Sequence, residues 1–325
     1  MLVLSGDDVR AAADMRQVID AVRSAYIEYS AGKAVVPIRT PIAFANGGLT
    51  LFMPGYSPGA GASVMKIVSV FPNNPDRGLP TIMALAVLTD TETGAPLAAM
   101  EAGSITALRT GAASGLATDL LAKKDAAILA IIGAGVQGRT QLDAIDAVRP
   151  ITSVRVYDRD PARVAAFIAD MAPRVSARLE PAASADEAVD GADVIAAATT
   201  SKAPVFSGAR LAPGAHVNGV GSSTLDAQEI GPDAVGRMDR IVVDSREAAM
   251  AEAGDLVVPM REGLLPADAF FAEIGEIAAG SKPGRERPDE LTLFKAVGIA
   301  VLDLFAAKLV YEQAIAKGLG ATVTL

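Results

Sequence analysis

The stretch that decides the fold is IIGAGVQGRT, residues 131–140. Gly133, Gly135 and Gly138 follow the pattern G-x-G-x-x-G, and the apolar run before them is typical of a strand that is buried on both faces. The first glycine permits a tight turn, the second lets the backbone approach a pyrophosphate, and the third lets the following helix pack closely on the strand. The N-terminus of that helix offers free N–H groups to phosphates. The stretch therefore predicts a dinucleotide site with contacts from Gly133, Gly135, Val136, Gln137 and Gly138.

An acidic residue supports the prediction of a dinucleotide site. Asp158 ends the strand candidate SVRVYD, twenty positions after Gly138. A carboxylate at this position can accept hydrogen bonds from both hydroxyls of the adenine ribose, and it would repel a 2′-phosphate. NAD(H) is therefore favoured as the cofactor. Arg159, the next residue, could instead hold a 2′-phosphate, so NADP(H) stays open as the alternative.

The segments after this turn alternate between strand-like and helical patterns. The strand candidates are SVRVYD, DVIAAATT, AHVNGVG and RIVVD, and PARVAAFIADM is one of the helical segments between them. This alternation is typical of a doubly wound parallel sheet. Because 325 residues exceed what one core usually serves, a second domain is expected. The predicted fold class is α/β, with a Rossmann-like doubly wound parallel sheet and a separate α+β domain.

The chain before the glycine-rich stretch has a different sequence pattern. Between Val35 and Leu88, short apolar runs are separated by turn-forming segments, which predicts about five antiparallel strands. A helix with Ser5 as its N-cap precedes them, and an Ala- and Gly-rich helix from Gly103 to Lys124 follows. After a polar break, a last helix from about Leu293 to Lys317 could return to the first domain, which would then be built from both chain ends.

The composition excludes several classes of function. Without cysteine, the chain can form no disulfide, thiolate zinc site or thiol nucleophile, and a single histidine excludes a multi-histidine metal site, so no metal is expected. A net charge of -9 argues against a nucleic-acid partner. No apolar run reaches the roughly 18 residues of a membrane span, and the first ten residues are acidic where a signal peptide is basic. We therefore expect a cytoplasmic protein without a membrane partner.

Three separated cations predict a site for a small anion. Arg39, Lys66 and Arg109 are each the only charge in a stretch of small or apolar residues. Strand alternation places Lys66 on the same face as Val64 and Val68, and burying an ammonium group costs several kcal/mol or more unless it is paired. If that face belongs to a core, the three cations could converge and hold a carboxylate. The alternative is that each is an ordinary surface cation with a buried stem.

Lys66 is also the best candidate for proton transfer. Desolvation and neighbouring arginines both lower the pKa of a lysine toward neutrality, where it can act as an acid or a base. The only histidine, His216, lies inside an apolar strand candidate. We expect His216 to be a hydrogen-bonded structural residue.

The chain resembles the ornithine cyclodeaminase/mu-crystallin family over almost its whole length. The segments that carry the resemblance are KIVSVFPNNPDRGLPTIMA (66–84), ITALRTGAASGLAT (105–118), IIGAGVQGRTQL (131–142), AHVNGVGS (215–222) and LTLFKAVGIAVLDLFAAKLVYEQA (291–314). The resemblance implies a homodimer formed by the sheets of the first domain. It also implies a substrate-binding and dimerisation domain over residues 1–115, an NAD(P)-binding Rossmann-like domain over 116–290, and a C-terminal helix over 291–325 that returns to the first domain.

The resemblance further implies roles for individual residues. Arg39, Lys66 and Arg109 match positions at which the family holds the carboxylate of an amino or imino acid substrate. Thr81 matches a position near the nicotinamide. Positions that line the cofactor in the family are matched by Thr199, Val220, Gly221 and Ser222.

One departure from the family pattern concerns the reaction. Ornithine cyclodeaminases carry an aspartate two residues after the glycine of HVNGVG, and this chain has Ser223 there. Asp226 lies three residues later and could reach the same place. The segment LTLFMPG (49–55) would line the substrate pocket with Phe52 and Met53, and it offers no acid for a distal ammonium group.

These differences favour a simpler reaction than cyclodeamination. The resemblance implies an NAD(P)-dependent oxidoreductase that acts on the C–N bond of a small 2-amino or 2-imino acid. A pyrroline-2-carboxylate-type ketimine reductase and an L-alanine-type dehydrogenase are the two forms considered. An ornithine cyclodeaminase that recycles NAD+ and a mu-crystallin-like protein that binds a small ligand with NADPH stay open as alternatives.

Overall fold

A computed structural model describes residues 1–324 of the chain. The chain forms two compact units. The first unit consists of Met1–Arg109 and the chain from Ile299 onward, and the second consists of Thr110–Gly298. One boundary falls inside the long helix α3 (Ala102–Leu121), and the other falls just before the last helix, α11 (Ala300–Lys317).

The first unit is built on a seven-stranded sheet. Its strands are β1 (Leu2–Leu4), β2 (Thr40–Ala43), β3 (Leu49–Ser57), β4 (Ala62–Val70), β5 (Ile82–Asp90), β6 (Pro96–Glu101) and β15 (Ala321–Thr322). They are ordered β15-β1-β6-β5-β4-β3-β2, and β2 to β6 are antiparallel neighbours in chain order. The predicted antiparallel meander is present, but only four of its strands, β2 to β5, begin in the predicted range between Val35 and Leu88, and β6 extends the meander beyond it.

Helices α1 (Gly6–Ala12), α2 (Met15–Ser30) and α11 complete the first unit. Ser5 caps α1 as predicted, but the helix is interrupted, because Asp14 caps a second helix by accepting a hydrogen bond from the backbone of Gln17. Helix α11 packs against α2 and against β3, β4 and β5. Gly55 permits this close packing, because a Cβ there would lie 3.2 Å from the carbonyl oxygen of Ala300.

The second unit is built on an eight-stranded sheet in which every pair is parallel. Its strands are β7 (Ile128–Ile132), β8 (Ser153–Tyr157), β9 (Arg178–Pro181), β10 (Val194–Ala197), β11 (His216–Gly219), β12 (Arg240–Val243), β13 (Phe270–Glu273) and β14 (Thr292–Lys295). Its helices are α4 (Val136–Asp146), α5 (Pro161–Met171), α6 (Ala185–Val189), α7 (Pro232–Val235), α8 (Arg246–Glu252), α9 (Gly254–Arg261) and α10 (Ile274–Ala278).

The strand order of this sheet, β13-β12-β14-β11-β10-β7-β8-β9, reverses direction at β7. Both faces of β7 are covered, because Ala130 and Ile132 join one apolar cluster while Leu129 and Ile131 join another. The predicted doubly wound parallel sheet is confirmed. In such sheets, ligands bind at the carboxyl ends of the strands where the order reverses, and the glycine-rich turn after β7 lies at that point.

The predicted last helix is present and ends at Lys317 as expected, but its predicted start near Leu293 was wrong, because the helix begins at Ala300. Residues Thr292–Lys295 form β14, which pairs with β11 and β12 and is completely buried. Gly298 has a positive φ of 85°, and α11 begins two residues later at Ala300. The apolar run LTLF fits a buried strand as well as a buried helix, and periodicity alone does not separate the two.

Candidate active site

Lys66 is the centre of a buried site in the first unit. It lies in the middle of β4, opposite Met53 on β3 and Ala86 on β5. Its side chain is only 1% exposed, and Val64 on the same face is buried as well. This part of the strand therefore meets the condition under which the cations could converge, although Val68 on the same face is only half-buried.

The negative group beside Lys66 is Asp303, in the first turn of α11. One carboxylate oxygen, Oδ2, accepts a hydrogen bond from Nζ of Lys66 at 2.7 Å. The other, Oδ1, accepts from Nε of Arg109 at 3.2 Å. All three residues are buried. Two of the three predicted cations therefore meet on a carboxylate that the chain itself supplies.

Sequence analysis missed Asp303, although a signal was present. The residue lies 237 positions after Lys66, so nothing local connects the two. It is, however, the only charged residue between Lys295 and Lys308, in the apolar run GIAVLDLFAA. The criterion that selected the three cations, a lone charge in an apolar stretch, would have selected Asp303 too.

The charges around Lys66 change its proton affinity. Burial, together with the positive charges of Arg109 and Arg39, lowers the pKa of Lys66 from 10.5 to about 8, against the attraction of Asp303. Burial raises the pKa of Asp303, but the charges and hydrogen bonds of Lys66 and Arg109 outweigh burial and hold that pKa below its usual value. The lysine can therefore gain and lose a proton near neutral pH while Asp303 stays ionised.

Arg39 lies in the irregular segment before β2 and is half-buried. It acts on Lys66 electrostatically, as its effect on the pKa of Lys66 shows. Arg109 is bound to Asp303 only through Nε. Within residues 1–324 its two terminal nitrogens, Nη1 and Nη2, make no hydrogen bond, so they can take a further acceptor.

The structure separates the two predicted pocket residues of β3. Met53 pairs with Lys66 on the inner face and is 4% exposed. Phe52 pairs with Ile67 and therefore lies on the opposite face of the sheet. Because successive side chains of a strand point to opposite faces, Phe52 does not lie on the same face as Lys66, contrary to expectation. Thr81 is exposed and immediately precedes β5.

In the second unit, the glycine-rich turn has the geometry that a dinucleotide needs. Gly133 has a φ of 103°, and a Cβ at Gly138 would lie 2.2 Å from the carbonyl oxygen of Gly133. A Cβ at Gly135, by contrast, would meet no atom within 4 Å, so the backbone there faces open space. Helix α4 begins at this point without a side-chain cap. Its free N–H groups and the open space fit a pyrophosphate group.

The residues around this turn extend the same surface. Asp158 follows β8, and its Oδ2 accepts a hydrogen bond from the backbone N–H of Ala134 at 2.9 Å. Arg159 is exposed. The apolar side chain of Val136 is 67% exposed at the start of α4. Oε1 of Gln137 is buried and has no hydrogen-bond partner within the described chain. An exposed apolar group and an unsatisfied oxygen at one turn are consistent with a ligand that covers both.

The loops after β10 and β11 are held by a buried carboxylate that sequence analysis missed. Glu229 accepts hydrogen bonds from the backbone N–H of Thr199 at 2.5 Å and of Gly221 at 2.9 Å. It is completely buried, and burial raises its pKa. Val220, just before Gly221, is half-buried. One side chain therefore joins the two loops at the carboxyl edge of the sheet.

A second buried group fixes Ser222. The hydroxyl of Ser222 donates to Asp255 at 2.5 Å, and Nζ of Lys295 donates to the Ser222 carbonyl oxygen at 2.7 Å. Lys295 and Asp255 form an ion pair at 2.5 Å in which both side chains are fully buried. The predicted cofactor loops thus rest on a rigid polar network.

The remaining candidates of the second unit are placed as follows. Ser223 is half-buried, whereas Asp226 is exposed and pairs with Lys202 at 2.5 Å. His216 is buried, and its ring nitrogens form hydrogen bonds with Thr292 at 2.9 Å and Asn218 at 3.2 Å. Burial lowers the pKa of His216 to about 3, so the ring is neutral. The predicted structural role of His216 is confirmed.

Residues 1–324 contain no helix long and apolar enough to cross a membrane. The same residues contain no group of three or more acidic or histidine side chains arranged to bind a metal ion.

A parallel sheet with a glycine-rich turn where its strand order reverses defines the second unit as a Rossmann-like dinucleotide-binding fold. The chain belongs to the ornithine cyclodeaminase/mu-crystallin family, whose sequence profile matches residues 1–318. The resemblance seen in the sequence and the predicted fold class are both confirmed.

Three known proteins illustrate the similarity. A Delta(1)-pyrroline-2-carboxylate reductase of Bacillus cereus is 41% identical over 321 residues, which cover 98% of each chain. The Thermococcus litoralis Delta(1)-pyrroline-2-carboxylate reductase, solved with NADH and L-proline, is 44% identical, with a TM-score of 0.95 and coverage of 99% of this chain and 100% of that one. An archaeal alanine dehydrogenase dimer with bound NAD is 36% identical, with a TM-score of 0.91 and coverage of 100% and 99%.

Proposed function

We propose that the protein is an NAD(H)-dependent reductase of a small 2-imino acid, with Δ1-pyrroline-2-carboxylate as the first candidate substrate. The observation that carries the proposal is a buried lysine with a pKa of about 8 beside an arginine whose terminal nitrogens are free for an acceptor. The similarity to two pyrroline-2-carboxylate reductases over nearly the whole chain supports the choice of substrate.

The cations of the first unit would hold the substrate by its carboxylate. Nη1 and Nη2 of Arg109 form a planar fork that matches two carboxylate oxygens, and Arg39 adds a second positive charge. Met53, on the same face of the sheet as Lys66, contributes an apolar surface for the side chain of the substrate. Fixing the carboxylate orients the neighbouring C=N bond, and such orientation contributes much of the acceleration in enzymes of this kind.

Lys66 would donate the proton that the substrate nitrogen needs when the C=N bond is reduced. Its pKa of about 8 keeps most of the lysine protonated at neutral pH, yet close enough to neutrality for efficient transfer. Asp303 is unsuited to this task, because the two cations beside it hold its pKa low and keep it ionised. Lys66 is therefore the proton donor in this proposal.

The cofactor would be held by the second unit. The residues proposed for this role are Gly133, Gly135, Val136, Gln137, Gly138, Asp158, Thr199, Val220, Gly221 and Ser222. A bound nicotinamide cofactor supplies the hydride for the substrate carbon. Asp158 favours NAD(H), because its charge would repel a 2′-phosphate. The relatives solved with NADH and with NAD support this preference.

We also propose that the protein is a homodimer that covers the outer face of the first sheet. Strands β2, β4 and β5 present Ile42, Met65, Met83 and Leu85 on this face, with exposures of 37–47%. An exposed apolar patch rimmed by polar residues is typical of a protein interface. The dimer described for the archaeal alanine dehydrogenase supports this assembly. A cytoplasmic location stays a prediction from composition.

An L-alanine-type dehydrogenase is the second candidate, supported by the 36% identity with the alanine dehydrogenase. Cyclodeamination is disfavoured, because Ser223 replaces the expected acid and Asp226 is paired with Lys202 at the surface. A mu-crystallin-like binding protein would not need a lysine of near-neutral pKa beside free arginine nitrogens.

A spectrophotometric screen separates these functions. The purified chain is given Δ1-pyrroline-2-carboxylate, piperideine-2-carboxylate, pyruvate with ammonia, or ornithine, each with NADH or NADPH (NAD+ for ornithine). The proposal expects NADH consumption with a cyclic imine. NADH consumption only with pyruvate and ammonia would indicate an L-alanine-type dehydrogenase. Ammonia release from ornithine without net change in NADH would indicate a cyclodeaminase, and cofactor binding without any turnover would indicate a binding protein.

A further inference from the structure

The carboxylate of Asp303 uses each of its oxygens for a different cation of the proposed site. Oδ2 is 2.7 Å from Nζ of Lys66, and Oδ1 is 3.2 Å from Nε of Arg109. The side chains of Asp303, Lys66 and Arg109 are 0%, 1% and 9% exposed, so water screens these contacts very little. Interactions between charges are strongest where solvent is excluded.

Helix α11 holds this carboxylate in place. Asp303 lies in the first turn of an 18-residue helix, where the helix dipole favours a negative charge. Ala300, at the start of the same helix, packs closely on Gly55 of β3. Strand β3 pairs with β4 and places Met53 opposite Lys66. The position of the carboxylate relative to Lys66 is therefore set by packing of the backbone.

The contact with Asp303 orients the guanidinium group of Arg109. A hydrogen bond through Nε fixes one edge of this planar group, and the terminal nitrogens Nη1 and Nη2 stay without a partner among residues 1–324. An arginine side chain has several rotatable bonds and would lose this orientation without the anchor. Asp303 thus presents the free edge of Arg109 for a substrate carboxylate.

The surroundings of Lys66 give Asp303 a second effect. The groups that face Nζ are Asp303 of α11, Arg109 and Thr106 of α3, and Arg39 of the segment before β2. The hydroxyl oxygen of Thr106 is 3.5 Å away and neutral. The residues opposite Lys66 on β3 and β5, Met53 and Ala86, are apolar. Asp303 is therefore the one negative charge beside the ammonium group within the described chain.

We propose that Asp303 is a positioning residue for the reaction, which anchors Arg109 for binding the substrate carboxylate and keeps Lys66 protonated for proton transfer. This inference rests on the proposed function of the site. Without the carboxylate, Lys66 would be buried among positive charges only, and its proton would be lost at lower pH. Arg109 would lose the anchor of its Nε edge at the same time.

The test is the pH dependence of kcat/KM for Δ1-pyrroline-2-carboxylate reduction by the wild type and by Asp303→Asn. Wild-type activity should fall above about pH 8, where Lys66 loses its proton. In Asp303→Asn this fall in activity should move to lower pH by at least about one unit. The variant's kcat/KM relative to that of the wild type should therefore be roughly tenfold lower at pH values above the transition than at pH values below it. KM should also rise. A loss that is equal at every pH would overturn the proposal.

Two further variants separate positioning from structural damage. Asp303→Glu keeps the charge but moves it, so the pH transition should stay while KM rises. If Asp303→Asn does not fold, an Asp303→Glu enzyme with unchanged KM and kcat would refute the positioning role. Glu290→Gln is the matched control, because Glu290 is another buried carboxylate, 1% exposed and paired with Arg240 at 3.3 Å. It should lower stability and leave the pH transition in place.

A measurement without substrate keeps this inference distinct from the proposed function. The lysines are labelled with ¹³C at Cε and titrated by NMR, and the Lys66 signal is assigned from its absence in Lys66→Met. Its midpoint should lie at lower pH in Asp303→Asn than in the wild type, whatever substrate the enzyme uses. An unchanged midpoint would show that Asp303 does not control the proton of Lys66. A shifted midpoint without turnover would contradict the proposed substrate only.

Discussion

At the scale of single residues, the chemistry of the first unit depends on a lysine that is kept out of water. Lys66 has apolar residues across both neighbouring strands and a carboxylate on one side only. Burial weakens its hold on the proton, while Asp303 strengthens it, and the balance is a pKa of about 8. An exposed lysine would keep its proton to much higher pH and would be a poor proton donor at neutral pH.

The first prediction concerns this lysine. Lys66→Met should reduce imine turnover by about two to four orders of magnitude, because proton transfer by a positioned group typically contributes this much. Affinity for NADH should stay near the wild-type value, because the residues proposed to hold the pyrophosphate and the ribose lie on the second unit. Steady-state kinetics and fluorescence titration with NADH measure the two effects. Lys308→Met, at a partly exposed lysine of α11 that pairs with Glu312, is the control and should retain full turnover. Substantial turnover in Lys66→Met would exclude Lys66 as the proton donor.

At the scale of elements, the turn between β7 and α4 uses its glycines for two different purposes. Gly138 is needed for the fold, because its α-carbon faces the carbonyl oxygen of Gly133 at a distance that excludes a side chain. Gly135 is not needed for packing, since nothing lies near its absent Cβ. The open space at Gly135 is where we propose that the pyrophosphate of the cofactor binds.

The second prediction compares these two positions. Gly135→Val should leave the melting temperature nearly unchanged but weaken NADH binding at least tenfold, because the added side chain fills the proposed pyrophosphate space. Gly138→Val should instead lower the melting temperature strongly, because its Cβ would meet backbone at 2.2 Å. Thermal unfolding and NADH titration on both variants provide the comparison. Unchanged NADH affinity in Gly135→Val would place the pyrophosphate elsewhere.

The third prediction concerns the two loops joined by Glu229. Glu229→Ala removes the acceptor of two backbone N–H groups, from Thr199 and Gly221. Leaving a fully buried donor unsatisfied costs about 1–3 kcal/mol, and both of these hydrogen bonds are only part-buried, so the free energy of unfolding should fall by roughly 1–3 kcal/mol in total. NADH affinity should fall as well. Chemical denaturation measures the first effect, and Glu286→Ala, at an exposed carboxylate of the same unit, is the control. A variant as stable as the control would show that the loops do not depend on Glu229.

At the scale of the whole molecule, the first sheet has two faces of different character. The inner face carries Lys66 and Met53 and is covered by α11. The outer face exposes large apolar side chains in neighbouring strands. A sheet that leaves one face apolar and uncovered in a single chain is expected to meet a partner.

The fourth prediction tests the proposed dimer. Leu85→Lys, on the outer face, should convert the dimer into monomers, because it places a charge in the centre of the apolar surface. Light scattering coupled to size-exclusion chromatography gives the molecular mass. The matched control is Leu264→Lys, at an exposed leucine of the second unit, which should stay dimeric. A wild-type protein that is monomeric at micromolar concentration would reject the dimer itself.

Local patterns in the sequence determined the glycine-rich turn, the parallel sheet, the antiparallel meander and the buried face of Lys66. These features follow from neighbouring residues, because strand alternation and glycine spacing are local. The strand β14 was mistaken for helix, because a short buried apolar run has no decisive period. The residues alone selected the three cations, and the resemblance to a known family implied that they hold the substrate carboxylate and that the loops at Thr199 and Val220–Ser222 line the cofactor.

Only the tertiary structure decided which charges meet. Asp303 reaches Lys66 across 237 residues, and Glu229 joins two loops that are 22 positions apart in the chain, at Thr199 and Gly221. The tertiary structure also showed that Phe52 lies on the opposite face of the sheet from Lys66, because the register between strands determines which side chains share a face. Partners of buried charges depend on how distant elements pack. A pattern of neighbouring residues can show that a charge needs a partner, but only the packed fold supplies that partner.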